Sequence, residues 1–437
     1  MATALVMSAL VGLLGLVIDA GQLMFFYRQA QNSADAAATA AAMDLLSGYS
    51  SGTATATATT FVQDYNGLAS AAVTVNIPPS SGSYAGSSQY AEVIVSYPVT
   101  MKFIQVTGVS TSQTVTARAV AGWEATSLST GVMQLDPTAR PGINLSGNGS
   151  LKVNGTIVVN SNGGGLAANG SDINNGNTGN AITATGTGSI FASDVESAGG
   201  VNNTSKFVNY TPGGSNPLNT GALAQTDPFQ NLATPTTANG ASATTNGAVS
   251  FATGNHTLNP GVYTSITTSL IANVTLNPGI YVITGGGLSM SGSSTITGSG
   301  VMIYNTGSDF NVNTGLPDSG DGATAPPYSG SASFGSISIA SSAKFNVTPY
   351  TNSSSPFDGF SIYQRRLNTK PIQMSSTGSY NVKGTVYAKW AALNLSSNGT
   401  FNSQFFVQSL NFSGSSGLTL DATGQHLGQA DYVYLVE

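Results

Sequence analysis

The sequence predicts a mainly β protein with a long hydrophobic N-terminal α-helix, a small α+β head and a C-terminal right-handed parallel β-helix (solenoid). Three observations predict this class: an uncharged apolar run at the start, three strand-like runs after it, and short alternating apolar segments that recur to the C-terminus. The predicted domains are a transmembrane or assembly helix (1–50), a small α+β domain (51–125) and a β-solenoid (126–437), with a loop-rich excursion near 200–250.

The composition excludes several functional classes. Charged residues make up 7% of the 437 residues, against about 25% in ordinary globular domains. The twelve Lys and Arg residues are dispersed and the net charge is −6, so no nucleic-acid partner is expected. The chain has no cysteine, and His256 and His426 are far apart. We therefore predict no metal site, no cofactor and no catalytic residue.

The first element is a long helix. Residues 2–18 carry no charge and would span about 25 Å as a helix, and the run Leu-Met-Phe-Phe-Tyr at 23–27 extends the apolar stretch. The helix should end near Ser47, with Gly48 as its stop signal. Its first half would lie in a membrane and its second half would project. The predicted membrane and assembly residues are Leu5, Leu10, Leu13, Leu14, Leu16, Val17, Ile18, Asp19, Gly21, Phe25, Phe26, Tyr27 and Arg28.

Asp19 interrupts the apolar run and leaves two interpretations. At mid-bilayer an acidic side chain costs about 2.5–3.5 kcal/mol. Asp19 could lie at the headgroup edge, with Phe25, Phe26 and Tyr27 as an interfacial belt. It could instead be buried against a cation, either Arg28 or a group on a neighbouring subunit.

An alanine-rich segment continues the helix. Ala34, Ala38 and Ala42 recur at every fourth position and so share one helix face. Small side chains let helices approach closely, which predicts helix–helix packing. The alternative is a solvent-exposed segment of good helix formers.

The segment 16–42 resembles the N-terminus of TadE/TadG-like proteins of tight-adherence (Flp-type) pilus systems. The matching residues are Ile18, Asp19 and Gly21, then Tyr27 and Arg28, then Gln31, Asn32 and Ala34–Asp35–Ala36–Ala37–Ala38. The resemblance implies a bacterial cell-envelope location, membrane-anchored or extracellular on the pilus or cell surface. It also implies pilus or filament subunits as partners.

The α+β head is predicted next. Residues 53–67 enter a short helix that should end near Gly67. Strand-like runs follow at 71–78, 90–104 and 114–123, of which the first and third alternate with period two. A helix followed by three such runs is typical of a small antiparallel sheet.

The remaining residues show a recurring pattern. Leu-Asn-Pro-Gly-Val-Tyr (258–263) and Leu-Asn-Pro-Gly-Ile-Tyr (276–281) lie eighteen residues apart, and Ile362, Val386 and Phe406 head similar runs. A repeat of 20–25 residues, with short strands separated by Gly, Asn and Ser turns, favours a solenoid, in which uncharged side chains can form ladders. A pair of β-sandwiches with antiparallel hairpins is the alternative.

This half also resembles Gly-rich β-helical extensions of uncharacterised pilus-assembly proteins. The matching stretches are 146–151, 276–281, 285–292 and 384–388. The resemblance implies an architecture and assigns no chemistry.

Few residues suit catalysis or binding. Asp194 and Glu196 would share one strand face, and Asp318 and Asp321 resemble part of a Ca²⁺ loop, but surface and loop positions explain all four. Arg365, Arg366 and Lys370 form the one local basic cluster, for which a solvated turn is the default and a sugar or anion contact the alternative.

We therefore expect a non-enzymatic cell-envelope protein, a pilus-associated structural or adhesive component that displays a β-helix at the surface. Its expected partners are the membrane, pilus or filament subunits including copies of itself, and a surface glycan as a candidate. One alternative is a subunit of a surface filament whose core consists of the N-terminal helices. Another is an exported carbohydrate-active β-helix enzyme.

Overall fold

A computed structural model describes most of the chain. It covers residues 2–103, 112–173, 176–323, 325–375, 377, 380–396, 399–415 and 417–437, with the backbone alone for residues 2–11, 127, 323, 399 and 400. The protein is mainly β, as predicted, with 41% strand and 14% helix. It forms two compact units: unit 1 comprises residues 1–126 and 430–437, and unit 2 comprises residues 127–429.

Unit 1 combines two helices with one sheet. Helix α1 (Ala2–Leu46) is followed by α2 (Ser51–Thr60) and a π-helical turn (Phe61–Tyr65). The sheet has the order β1 (Ala72–Asn76), β2 (Tyr90–Thr100), β3 (Ser112–Ser127) and β28 (Gln429–Leu435). Strand β2 pairs antiparallel with both β1 and β3. The chain passes from α1 to α2 through Gly48, whose φ of 79° suits glycine.

Small side chains form the interface between the helices and the sheet of unit 1. Ala34 and Ala38 of α1 and Ala54 of α2 are fully buried in one cluster with Val93 and Val95 of β2. Alanine has no bulk beyond Cβ, so α1 can lie close to both α2 and the sheet. The alanine-rich second half of α1 is therefore part of the core of unit 1.

A buried carboxylate in β2 accepts hydrogen bonds from several surrounding residues of unit 1. Glu92 of β2 accepts hydrogen bonds from Ser80 and Asn76, at 2.7 Å for the Asn76 amide, and from the Arg118 guanidinium at 2.6 Å. Burial opposes its charge, but these hydrogen bonds outweigh burial and lower the pKa of Glu92 to about 2. Arg118 also pairs with Glu437 at 2.7 Å, which ties the last residue of the chain to unit 1.

Unit 2 contains strands β4 to β27 in a single 24-stranded sheet, and every pairing whose register is described is parallel. The first strands are β4 (Thr130–Gln134), β5 (Ile143–Leu145), β6 (Leu151–Asn154), β7 (Thr156–Val159), β8 (Ile182–Ala184), β9 (Ile190–Ala192), β10 (Asp194–Ser197), β11 (Phe207–Asn209) and β12 (Leu218–Thr220). The middle strands are β13 (Thr245–Phe251), β14 (Asn255–Leu258), β15 (Gly261–Thr268), β16 (Asn273–Leu276), β17 (Gly279–Thr284), β18 (Leu288–Met290), β19 (Thr295–Gly298) and β20 (Val301–Thr306). The last are β21 (Ile337–Ile339), β22 (Lys344–Val347), β23 (Phe360–Gln364), β24 (Ile372–Met374), β25 (Tyr380–Leu395), β26 (Gly399–Phe412) and β27 (Leu418–Asp421).

The order of the strands along the sheet is not the order of the chain. One row runs β13, β15, β17, β20, β23, β25, β26 and then β4, β7, β10, β12. Strand β26, near the end of the chain, thus pairs with β4, near the beginning of unit 2. The right-handed parallel β-helix (solenoid) predicted for residues 126–437 is therefore wrong, because the strands of unit 2 pair in parallel but not in chain order. Parallel pairing needs only matched register and apolar rows, so a late strand can pair with the free edge of an early one.

The registers place like side chains in rows. Ile303, Ile362, Val386, Phe405 and Val132 occupy successive positions of one core row, and all are at most 1% exposed. Such apolar rows are typical of parallel strands buried on both faces.

Side-chain ladders connect equivalent polar positions. The Asn277 amide donates to Asn259 at 2.8 Å, and the Asn273 amide donates to Asn255 at 3.2 Å. The repeated tyrosines Tyr263 and Tyr281 stack with ring centroids 5.9 Å apart. The eighteen-residue repeat seen in the sequence thus places two turns of chain side by side.

A long connection joins the two ends of the row. Residues 221–244, here called the crossover segment, link β12 to β13, which lie ten strand steps apart in the pairings above, about 48 Å at the usual strand spacing. Twenty-four residues can extend to roughly 80 Å, so the segment can cover this distance. It lies within the excursion predicted near 200–250.

Candidate functional site

The predicted assembly helix carries an exposed apolar surface. Between residues 12 and 28 of α1, eight large apolar side chains are 43–68% exposed. We call this set the apolar flank: Leu13, Leu14, Leu16, Val17, Ile18, Met24, Phe25 and Tyr27. The predicted residues Leu5 and Leu10 lie outside the described side chains. An exposed set of large apolar side chains of this size is a candidate interaction surface.

The opposite face of α1 packs on unit 1. Phe26 stacks on Tyr97 of β2 with ring centroids 5.1 Å apart. A Cβ atom added at Gly15 would lie 2.6 Å from the Phe103 ring, so only glycine permits this approach. By contrast, a Cβ added at Gly21 would meet nothing within 4 Å.

Asp19 lies on this packed face and is 1% exposed. Its carboxylate accepts hydrogen bonds from the backbone N–H groups of Lys102, at 3.0 Å, and Phe103, at 2.8 Å, just after β2 ends. The sequence suggested a headgroup or a cation such as Arg28 as its partner, whereas Arg28 is exposed. Asp19 therefore joins the first half of α1 to the sheet of its own chain.

Contrary to the prediction for residues 1–50, no helix in the described part of the chain is long and apolar enough to cross a membrane. Asp19 interrupts the apolar run, and the alanine face beyond it is covered by the protein itself. Ala34, Ala38 and Ala42 are each 0% exposed. The cluster that buries them includes Ala54 and Ala58 of α2, so these alanines make contacts within the chain.

The basic cluster of unit 2 is buried, so a solvated turn is wrong for two of its three residues. Arg365 is 1% exposed and Arg366 is 3% exposed. Arg365 Nε lies 2.7 Å from both Asp318 and Asp321, and its Nη1 lies 2.9 Å from Asp309. Sequence analysis singled out Arg365 and, separately, Asp318 and Asp321, but it did not predict that they meet, because the loop that carries the aspartates reaches Arg365 only in the folded chain.

Burial and ion pairing shift the pKa values of this cluster in opposite directions. Burial raises the pKa of Asp318 to about 6, although Arg365 and hydrogen bonds from Thr306 and Tyr304 act in the other direction. Burial tends to lower the pKa of Arg365, but the three facing carboxylates outweigh it and raise that pKa. Arg365 stays charged, since its guanidinium is surrounded by three carboxylates. The cluster therefore holds its loops around a permanent cation.

Arg366 anchors the crossover segment. Its Nη2 donates to the carbonyl oxygens of Phe229, at 2.6 Å, and Leu232, at 2.9 Å. The Tyr387 hydroxyl donates to Asp227 at 2.7 Å, and the Phe229 ring packs edge-on against that of Tyr387. These bonds position the segment so that Phe229 also packs edge-on against Phe360 and Phe406.

A surface cavity of about 720 Å³ lies beside the Arg365 cluster. Tyr328 and Phe334 contribute aromatic side chains, and their ring centroids are 5.2 Å apart in an edge-to-face arrangement. The Arg365 guanidinium carbon lies 5.1 Å and 5.2 Å from the two centroids. Lys370, the third residue of the basic cluster, also lines the cavity and is exposed. Sequence reasoning missed the aromatic pair, because Pro326-Pro327-Tyr328 has no periodicity that would place it.

The remaining candidate residues make local contacts. Asp194 and Glu196 do share one face of β10, as the spacing predicts, and accept hydrogen bonds from Asn219 and Gln225. His426 pairs with Asp358 at 2.9 Å. Within the described ranges, no group of three or more His, Cys, Asp or Glu residues could hold a metal ion.

Comparison of the chain with protein-family models, with curated proteins and with solved structures gives no match. The functional conclusion therefore rests on the geometry of the chain itself.

Proposed function

We propose that the protein is a non-enzymatic structural or adhesive component of the bacterial cell envelope, of the TadE/TadG-like pilus-associated type. In this proposal the apolar flank of α1 is covered by equivalent helices of other subunits, copies of the same chain included. Unit 2 is displayed on the assembly. The single observation that supports the proposal is the apolar flank, with eight large apolar side chains 43–68% exposed on one stretch of helix.

The energetic consequence of this surface favours assembly. Covering an exposed Leu, Val or Phe side chain contributes about 1.5–3 kcal/mol at full burial. The flank offers eight such side chains that are 43–68% exposed, so covering all of their exposed area would contribute roughly 7–14 kcal/mol, of the order of the roughly 8 kcal/mol of a micromolar complex before the costs of association. The opposite face is held on unit 1 through Asp19 and Phe26, so the helix presents the flank without having to leave its own unit.

The test is the state of association of the purified full-length chain. We would replace Leu14, Val17 and Phe25 with Gln, which is polar and still favours helix. The matched control replaces Leu223, Ile271 and Leu316, which are 92%, 64% and 56% exposed in unit 2, with Gln as well.

Light scattering after gel filtration and negative-stain electron microscopy should show concentration-dependent assemblies for the wild type and the control. The flank variant should remain monomeric. A wild-type chain that stays monomeric in both measurements, or a flank variant that assembles as well as the wild type, would contradict the proposal.

The absence of catalysis is part of the proposal and has its own test. Acidic and neutral polysaccharides would be incubated with the wild type and with the double variant Asp194→Asn/Glu196→Gln, and reducing ends would be counted. We expect no release above buffer from either protein. Release by the wild type that the double variant loses would instead favour the carbohydrate-active enzyme.

A further inference from the structure

The surface cavity of unit 2 has the features of a ligand site. Its volume of about 720 Å³ lies within the range of small-ligand pockets, roughly 300–1,000 Å³. The residues used below are Tyr328, Ser333, Phe334, Thr369 and Lys370, all of which line it. None of them takes part in the apolar flank of α1.

The aromatic wall is fixed before any ligand arrives. The Tyr328 hydroxyl donates to Asp309, which also pairs with Arg365. Phe334 follows Ser333, whose backbone N–H donates to the Ser308 hydroxyl at 2.9 Å. The Arg365 guanidinium lies against both rings and restrains them through cation–π contact. A preorganised wall lowers the entropic cost of binding.

The charge of the cavity points to a single negative group on the ligand. Among the described residues that line the cavity, Lys370 is the one that carries a charge. Its backbone is fixed, since its N–H donates to Asn368 at 3.0 Å and its carbonyl oxygen accepts from Gln364 at 2.7 Å. The side chain extends from this anchored backbone and is exposed. The nearby aspartates Asp309, Asp318 and Asp321 all pair with Arg365.

The ring geometry separates one ligand class from others. The planes of Tyr328 and Phe334 meet at 81°, so they form a corner and not a parallel slot for a flat aromatic ligand. A polyphosphate would require several cations, whereas this cavity has one. A saturated sugar ring places C–H groups against an aromatic face and hydroxyl groups toward Ser333 and Thr369.

We propose that this cavity binds an acidic glycan, an oligosaccharide that carries uronic acid units. One sugar ring packs on Tyr328 and Phe334, its carboxylate pairs with Lys370, and its hydroxyl groups bond Ser333 and Thr369. The inference rests on the proposed adhesive function, because it names the class of ligand that a displayed unit 2 would contact. It can fail alone, since the apolar flank has a separate test.

The experiment measures binding of trigalacturonate and of its neutral counterpart, galactotriose, to the full-length chain by isothermal titration calorimetry. The variants are Lys370→Gln, which removes the charge, and Phe334→Leu, which removes the ring and keeps apolar volume. The control is Lys152→Gln, because Lys152 is also exposed and lies 5.4 Å from a ring centroid, that of Phe191, but outside the cavity.

The wild type should bind trigalacturonate about fivefold more tightly than galactotriose, the difference that one partly exposed ion pair supplies. Lys370→Gln should weaken the binding of trigalacturonate about fivefold and leave the binding of galactotriose unchanged. Phe334→Leu should weaken the binding of both sugars about tenfold. Lys152→Gln should bind both as the wild type does.

No heat of binding from trigalacturonate at millimolar concentration would overturn the inference. So would an equal loss in Lys152→Gln and Lys370→Gln, or a preference for the acid that survives Lys370→Gln. Lys370 is on the surface, so its variant keeps the test valid even if Phe334→Leu unfolds. Binding of the acid by a chain that fails to assemble would refute the assembly proposal alone.

Discussion

Asp19 offers the sharpest test of how α1 is held on unit 1. Both of its carboxylate oxygens accept backbone hydrogen bonds, from Lys102 and Phe103. A hydrogen bond to a charged group contributes roughly 1.5–3 kcal/mol. Lys102 and Phe103 are exposed, so their N–H groups can turn to water when the carboxylate is removed. We therefore take the lower limit for each bond and expect Asp19→Ala to cost about 3 kcal/mol.

A second variant separates charge and geometry from simple loss of volume. Asp19→Asn keeps one acceptor oxygen but directs an NH₂ group at one of the two N–H donors, so about half of the stabilisation, roughly 1.5–2 kcal/mol, should be lost. The control is Asp64→Ala, because Asp64 is exposed in the same unit. This change should stay within about 0.5 kcal/mol of the wild type.

The chain supplies its own probe for each unit. It has two tryptophans, Trp123 in unit 1 and Trp390 in unit 2. In a Trp390→Phe background, urea unfolding followed by Trp123 fluorescence reports on unit 1 at concentrations where the chain is monomeric. With a slope of about 1.5–2 kcal/mol per molar urea, Asp19→Ala should lower the midpoint by about 1.5–2 M. A midpoint within 0.3 M of the wild type would refute the bonding of α1 through Asp19.

Three further predictions use the same probes, with Trp123→Phe as the background for unit 2. Glu92 has its pKa lowered from 4.5 to about 2, so unit 1 should lose about 3 kcal/mol of unfolding free energy as the pH falls from about 4.5 to 2, and Glu92→Gln should remove this dependence. The pH dependence from Asp318 has the opposite sign, because its pKa is raised from 3.8 to about 6. Unit 2 should lose about 3 kcal/mol of unfolding free energy as the pH rises from about 4 through 6. An equally steep loss of stability with pH in Asp318→Asn would contradict this. Phe229 of the crossover segment is 2% exposed, so Phe229→Ala should lower the unfolding free energy of unit 2 by about 3–5 kcal/mol. Leu223 is 92% exposed, so Leu223→Ala should change the urea midpoint of unit 2 little.

Local signals sufficed for the elements of unit 1. The uncharged run and Gly48 predicted one helix to about residue 47, and α1 ends at Leu46. The strand-like runs predicted at 71–78, 90–104 and 114–123 contain most of β1, β2 and β3. These features depend on neighbours within a few residues, which a sequence pattern records.

The partner of Asp19 was beyond such signals. The sequence shows an acidic residue on an apolar helix. The backbone N–H groups that bond its carboxylate follow strand β2, more than eighty residues later. An apolar stretch of sequence is typical of a membrane-spanning helix. It contains no information on which face of that helix the rest of the chain will cover, so the packing of α1 on its own sheet could not be predicted. The burial of Arg365 has the same origin, since Asp309 and Asp318 approach it from a loop about fifty residues earlier.

The repeats of unit 2 predicted strands but not their neighbours. The pair of Leu-Asn-Pro-Gly motifs predicted adjacent turns, and their asparagines do bond. Nothing in a short alternating run states which other run it will pair with, since many have similar apolar rows. The junction of β26 with β4 is therefore decided by which edges remain free, a property of the whole unit.

That junction has a consequence for how the protein is made. A ribosome releases β4 long before β26, so the edge of β4 that β26 will occupy stays open while some 270 residues are translated. Unit 2 cannot be completed step by step behind the ribosome, as an array that grows in chain order could be. Stop codons or proteolytic cuts that remove only the last forty residues would leave a raw strand edge in the middle of the sheet, where intermolecular pairing and aggregation begin.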